Sequence, residues 1–297
     1  MVSLKTTVKM TLSIVILSYN TKNLTLSCLS TLQELYKGEL ENETLEVLVV
    51  DNASTDGSYE ALVKFAQAKK GISIIKSTKN LGFGGGNNMG AKKAKGRYIL
   101  FLNSDTEVLD KGFLKMVEFF EANPKVGILG PKLVNFDGSP QPSAANFYGL
   151  LNLFIMLLGL EKRKSPEKIE RVDWITGAAT MIQKRVFEEI GSFDENIFMY
   201  MDDHELCFRA QKKGFATYFF PEAMVKHKSV GSSNKSFAII NIYRNILYFY
   251  KKHKSRIEYL VARILLFSKA IAVYTLGKFL RNRYYVDTYS KALRETI

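Results

Sequence analysis

"YILFLNSDTEVL", residues 98–109, decides the fold. Tyr98 to Leu102 is an unbroken apolar run, as expected of a strand covered on both faces. It stops abruptly at Asn103-Ser104-Asp105. A carboxylate where a buried strand ends belongs at the ligand edge of an α/β sheet. Oxygen ligands there suit Mg²⁺ or Mn²⁺, which complete their shell with diphosphate oxygens and water. The alternative role for Asp105 is a cap on the following turn, which needs no ligand.

The same signal recurs on both sides. "LSIVILSY" (12–19), "TLEVLVVDN" (44–52) and "ISIIKS" (72–77) read as three further strands. Helical patterns separate them, from Asn23 to about Tyr36, over 58–70 and from about Asn87 to Ala94, and another follows over 109–123. Strict alternation of strand and helix implies βαβ units and a mostly parallel sheet flanked by helices, with strand ends gathered on one edge. Beyond residue 170 the expected elements are a strand over 175–183, helices over 184–191 and 202–214, and a strand over 216–220. From Asn241 the pattern is helical to the end, and 161–171 reads as a polar loop.

Several residues stand out as chemistry. Asp51 closes the second strand beside Asn52, Ser54 and Asp56, which already supply turn chemistry, so its carboxylate is available to a base or ribose. The run "NLGFGGGNNMG" (80–90) permits close backbone approach to a ligand and places N–H groups near a helix N-terminus. It is no dinucleotide fingerprint: Gly82-x-Gly84-x-x-Asn87 lacks the last glycine and follows the third strand, not the first. Asp202, Asp203 and Glu205 crowd a helix start, where the dipole favours negative charge and a general base would also be well placed. Asp203 and Arg209 are six apart, too far for a helical ion pair, so Arg209 needs another partner. His227, on spacing alone, reads as an ordinary surface or core histidine. The single tryptophan, Trp174, suits stacking on a sugar and suits a core equally well.

Seven segments in order resemble family 2 glycosyltransferases of the GT-A (Rossmann-like) fold, nearest the rhamnosyltransferase-like branch: "SIVILSYN" (13–20), "VLVVDNASTDGS" (47–58), 80–90, "YILFLNSDT" (98–106), "WITGAATMI" (174–182), "FMYMDDHELCFRAQKKGF" (198–215) and "HKSVGSS" (227–233). The resemblance implies that Tyr19, Asn20 and Asp51 line the base pocket and that Asn80, Gly82 and Asn88 shape the nucleotide-sugar loop. It places Asn103 and Ser104 against the donor, in the family's D-x-D position, with Asn103 replacing the first Asp. It makes Asp105 and His227 ligands of Mg²⁺ or Mn²⁺, Asp203 the catalytic base of a single inverting displacement, and Trp174, Gly177 and Asp202 neighbours of the acceptor or donor sugar. It favours dTDP-L-rhamnose as donor, a UDP-sugar being the alternative, and a cell-surface or lipid-linked glycan as acceptor. A non-catalytic glycan-binding protein is the reading from another class. A nucleotidyltransferase would want a glycine-rich, basic loop after the first strand, and "SYNTKNLTLS" has no glycine.

Bulk properties add the rest. The 297 residues suffice for one large α/β domain, expected over 1–235, and a basic amphipathic helical extension over 236–297. Cys28 and Cys207 have no metal spacing and read as reduced buried thiols of a cytoplasmic protein. Lys5 and Lys9 precede an apolar run too short for a targeting signal. The net charge is +13, and residues 251–297 hold eleven Lys/Arg against three Asp/Glu. At 100° per residue Arg256, Arg263, Lys278 and Arg281 fall within roughly 60° of one another, beside a broad apolar arc. Such a tail docks on the catalytic domain, on a second copy to form a homo-oligomer, or peripherally on the anionic inner face of the cell membrane. A nucleic-acid partner is not expected. "FYGLLNLFIMLLGL" (147–160) is too short to span a bilayer and fits a core or interfacial helix.

Overall fold

A computed structural model of the chain describes residues 10–67, 69–147, 149–161, 165–228 and 234–297. Lys5, Lys9 and positions 229–233 of the "HKSVGSS" segment lie outside the described residues. The first half alternates as its sequence requires: β1 (Leu12–Ser18), α1 (Lys22–Leu35), α2 (Lys37–Glu41), β2 (Leu45–Asp51), α3 (Ser58–Ala66), β3 (Ile72–Lys76), α4 (Gly82–Ala91) and β4 (Tyr98–Asn103). These four strands pair in parallel in the order β3-β2-β1-β4. Every residue of β2 is buried, which explains its lack of polar alternation. Its one mid-strand acid, Glu46, accepts from Ser13 Oγ and Lys95 N, both at 2.7 Å.

Beyond β4 the sheet becomes mixed. The chain continues through β5 (Thr106–Val108), α5 (Gly112–Ala122), β6 (Val126–Val134), β7 (Pro140–Gln141), β8 (Ala144–Ala145), α6 (Leu150–Leu157), β9 (Glu170–Val172), β10 (Trp174–Ile175) and β11 (Ala179–Gln183). Then come α7 (Lys184–Glu189), α8 (Asp202–Lys212) and β12 (Ala216–His227). β11 lies antiparallel between β4 and β6, β12 runs parallel to β6, and β5 closes the order antiparallel to β12. The expected strand over 175–183 is thus two strands, β10 and β11, split by a bend. β12 extends well past residue 220 by absorbing Pro221 and Glu222 in an irregularity between Phe220 and Met224. That extension carries His227 to the sheet edge.

Three helices finish the chain: α9 (Lys235–His253), α10 (Arg256–Phe279) and α11 (Arg283–Thr296). Ser255 and Glu258 form a capping box that starts α10. A core of their own joins these helices to α6 and to Met201 and Phe208. Two larger cores cover the faces of the sheet. Cys28 and Cys207 are free and buried, and burial pushes both thiols up to about 12.

Candidate active site

The sheet brings the strand ends together. Register pairs Ser18 with Asp51 and Leu17 with Asn103, so Tyr19, Asn20, Asp51 and the Asn103-Ser104-Asp105 triplet share one edge. Tyr19 is exposed there. Asn20 takes a positive φ of 53°, which asparagine tolerates well. It ties its loop to the next: Asn20 N donates to Ser54 Oγ at 3.0 Å, and Thr55 N donates to Asn20 Oδ1 at 2.8 Å. Asp51 is fully buried; its Oδ2 accepts from Ser54 N at 3.2 Å, while Oδ1 has no hydrogen-bond partner among the described residues. The carboxylate therefore builds the turn with one oxygen and leaves the other unpartnered, a division the sequence did not suggest.

The triplet is pinned by its hydroxyls. Ser104 Oγ lies 3.0 Å from Thr21 Oγ1 at the start of α1, and Thr106 Oγ1 donates to Asn103 O at 2.7 Å. The antiparallel β5·β12 ladder then pairs His227 with Thr106. His227 Nε2 sits 3.4 Å from Asp105 Oδ1 and 3.5 Å from Asn103 Nδ2. Residues 122 positions apart thus place one carboxylate oxygen and one imidazole nitrogen face to face. That donor pair fits Mn²⁺ or Mg²⁺ sharing its remaining positions with a diphosphate and water. Among the described residues no group of three or more His, Cys, Asp or Glu side chains could hold an ion alone. The site suits a metal that arrives with its ligand.

The glycine-rich run needs correction. It is not a loop followed by a helix at Asn87: α4 begins at Gly82. Its glycines let the helix lie flush on β1. A Cβ on Gly86 would stand 2.2 Å from Leu17 Cδ1, and one on Gly90 2.4 Å from Val15 Cγ1. Gly82, at φ 73°, has no room either, with Phe198 O 2.2 Å from a Cβ. The N–H groups expected to greet phosphate are engaged internally. Leu81 N donates to Asn52 Oδ1 and Gly82 N to Asn80 Oδ1, both at 2.9 Å, and Phe83 N donates to Phe198 O at 2.7 Å. Asn80 shapes this turn. Asn88 spends its whole amide on the 193–195 segment, through Phe193 N, Phe193 O and Glu195 Oε1, each at 3.0 Å, so it does not face a nucleotide.

At the start of α8 the two adjacent aspartates separate. Asp203 Oδ2 accepts from Gly177 N and Oδ1 from His204 N, each at 2.8 Å, so the bend between β10 and β11 orients this carboxylate. Asp202 is buried and faces α4: its Oδ1 would stand 3.3 Å from a Cβ on Gly84 and has no hydrogen-bond partner among the described residues. Burial, and then the neighbouring Asp203 charge, raises its carboxyl well above the usual range. The preceding Tyr200 and Met201 both have φ 69°, a strained entry held by Asn245 Nδ2, which donates to Met199 O at 2.9 Å and Tyr200 O at 3.0 Å. Glu205 is fully buried and receives Arg209, Lys252 and His253, which gives Arg209 the separate partner its spacing required. Trp174 is corrected to a core residue: its indole is buried and donates to Asn146 O at 3.0 Å, leaving no open face for a sugar. Sequence reasoning passed over Gln141, whose Oε1 lies 2.7 Å from His227 Nδ1, because a lone glutamine in a hairpin has no local signature.

Residues 13–191, more than half of the chain, match the profile of Glycosyl transferase family 2. The chain is 28% identical over 214 residues to the N-acetylglucosaminyl-diphospho-decaprenol L-rhamnosyltransferase of Mycobacterium tuberculosis (strain ATCC 25618 / H37Rv), covering 64% of this chain and 69% of that one. It is 26% identical over 239 residues to the dTDP-rhamnosyl transferase RfbF of Shigella flexneri, covering 77% and 72%. Among solved structures it resembles the mannosyltransferase PcManGT from Pyrobaculum calidifontis in complex with GDP-Man and Mn²⁺, with TM-score 0.59 and 15% identity over 97% of this chain and 86% of that one. GalNAc-T7 with UDP, GalNAc and Mn²⁺ superposes with TM-score 0.62 and 18% identity; the match covers 82% of this chain and 50% of that protein. At these identities the structural likeness speaks for the fold alone.

Proposed function

The chain belongs to Glycosyl transferase family 2 and has the GT-A fold, and from that premise we propose a metal-dependent inverting glycosyltransferase that moves L-rhamnose from dTDP-L-rhamnose to a hydroxyl of a glycan or lipid-linked glycan. The observation that carries this reading is the convergence of Asp105 and His227 on the edge where Asp51 keeps an unpartnered oxygen. Tyr19, Asn20 and Asp51 would take the base, with Asn103 and Ser104 beside the ribose and diphosphate. Asp105 and His227 would hold the ion, and the imidazole nitrogen favours Mn²⁺ over the more strictly oxygen-seeking Mg²⁺. When bound, the ion offsets the charge that builds on the leaving diphosphate.

Asp203 is the proposed base. Its two backbone N–H partners aim the carboxylate, and a side chain at Gly177 would crowd it, since a Cβ there would stand 3.2 Å from Phe83 Cζ and 3.6 Å from Asp203 Cβ. Asp203 removes the proton from the acceptor hydroxyl. The oxygen then forms its bond to the anomeric carbon as the bond to the diphosphate oxygen breaks, with inversion. Rhamnose as donor sugar, and a lipid-linked acceptor, are supported by the names of the mycobacterial and Shigella relatives. The proposed functional division is a catalytic unit over 1–235 with a helical appendage over 236–297.

That appendage supports a peripheral membrane contact. Among the described residues one helix, α10, is long and apolar enough to cross a bilayer by length and composition alone. Ile257, Leu260, Ile264, Phe267 and Ile271 form an exposed stripe opposite the buried Ala262, Leu266 and Ala270. Exposed Leu151 and Phe154 lie on the neighbouring α6. With eleven basic residues in 251–297, two copies meeting here would repel, whereas an anionic bilayer complements the charge.

Purified protein incubated with Mn²⁺, a panel of dTDP- and UDP-sugars and a lipid-linked acceptor tests the assignment. The expected product comes from dTDP-L-rhamnose, with NMR showing inverted anomeric configuration. Transfer only from a UDP-sugar would refute the donor assignment, and retained configuration would refute the displacement.

A further inference from the structure

The orientation of His227 is set from outside the candidate metal pair. Gln141 stands on β7, in a hairpin where it pairs with Leu133 of β6. Its Nε2 lies 3.2 Å from the backbone oxygen of His227 and 2.8 Å from Asn135 Oδ1. A backbone carbonyl can only accept, so the atom facing it is the amide nitrogen, and Oε1 is left facing His227 Nδ1 at 2.7 Å. Asn135 is fixed in turn: its Nδ2 donates to Ser139 Oγ at 2.9 Å, and its backbone N donates to Ser139 O at 2.8 Å across the turn. An acceptor at 2.7 Å requires the proton on Nδ1. In the neutral ring the lone pair is then on Nε2, 3.4 Å from Asp105 Oδ1. Two acceptors that face each other repel unless a metal cation or a second ring proton lies between them. The nearest amide donor, Asn103 Nδ2, is 3.5 Å away, too long to engage that lone pair well.

We propose that Gln141 is a positioning residue that holds His227 as the Nδ1–H tautomer and so presents the Nε2 lone pair, with Asp105, to a divalent cation. The inference rests on the metal assignment proposed above and extends it to a residue outside the ligand pair. Partners of this kind orient imidazole ligands and raise their basicity, and losing one typically costs about 10–100-fold in metal affinity.

Two variants test it, Gln141→Leu, which removes the acceptor, and Gln141→Glu, which restores one. Long-range ¹H–¹⁵N NMR at a pH where the ring is neutral reads the His227 tautomer without metal, and Mn²⁺ titration in the presence of dTDP or UDP reads affinity. The unsubstituted protein and Gln141→Glu should show the Nδ1–H form. Gln141→Leu should lose it and bind Mn²⁺ about 10–100-fold more weakly. An Nε2–H form in the unsubstituted protein overturns the proposal, as does a Gln141→Leu protein that keeps both tautomer and affinity. If the unsubstituted protein holds the Nδ1–H form and loses it in Gln141→Leu, yet binds no Mn²⁺, the metal assignment is refuted while tautomer control by Gln141 stands.

Discussion

Replacing Glu205 with glutamine should destabilise the protein by about 3 kcal/mol at neutral pH. The side chain is fully buried and accepts from Arg209 Nε at 2.8 and 2.9 Å, Lys252 Nζ at 2.8 Å and His253 Nε2 at 2.9 Å. Burial alone would raise its carboxyl. The hydrogen bonds from His253 and Arg209 overcome that and bring it from 4.5 down to about 2. A depression of this size, at about 1.4 kcal/mol per unit, corresponds to about 3 kcal/mol, the same order as breaking a buried ion pair from one side. Because the folded value lies below the unfolded one, this stability is fully present above 4.5 and is lost as pH falls toward about 2. Urea denaturation across pH provides the assay. The gap between the two proteins should be constant from neutral pH to about 5 and narrow below that. A gap under about 1 kcal/mol, or one that ignores acid, would refute the claim that Glu205 anchors α8 to α9 as an anion.

Gly90→Ala should destabilise by about 1–2 kcal/mol, since overpacking against the stiff, buried Val15 outweighs the helix preference of alanine. A neutral or stabilising result in thermal melts would show that α4 does not need its flush contact with β1. Ile264→Asp, on the exposed stripe of α10, should lower co-sedimentation with phosphatidylserine-containing liposomes while leaving the melting temperature within a few degrees. Unchanged co-sedimentation would sink the membrane reading.

What the sequence made legible follows from where its signals come from. β1, β2 and β4 are mostly apolar runs, so their burial on both faces is written locally, whereas the edge strand β3 is only partly buried; the acids Asp51, at the end of β2, and Asp105, just past β4, are equally legible. β6 was missed because "VGILGPKLV" (126–134) carries two glycines and a proline. β12 was cut short because Pro221 and Glu222 look like a stop, although pairing with β6 carries the strand past them. The glycines of α4 were read as freedom for a ligand when they serve contact with β1. A glycine run signals both alike, and only the neighbouring side chains, Leu17 and Val15, tell them apart. Asp202 and Asp203 are chemically identical in sequence, and their division into a buried carboxyl and an aimed carboxylate depends on tertiary packing, with Gly177 N the donor that aims Asp203. His227 became interpretable through the family's motif order, and the β5·β12 ladder supplies the physical reason.

The most direct test compares the unsubstituted protein with Asp203→Asn in Mn²⁺-dependent transfer from dTDP-L-rhamnose, alongside calorimetric donor binding. The account predicts metal-dependent release of dTDP by the unsubstituted protein, a fall of about 10²–10⁴-fold in the variant, and donor affinity nearly unchanged. No release from any donor, or near-full turnover by Asp203→Asn, would contradict it.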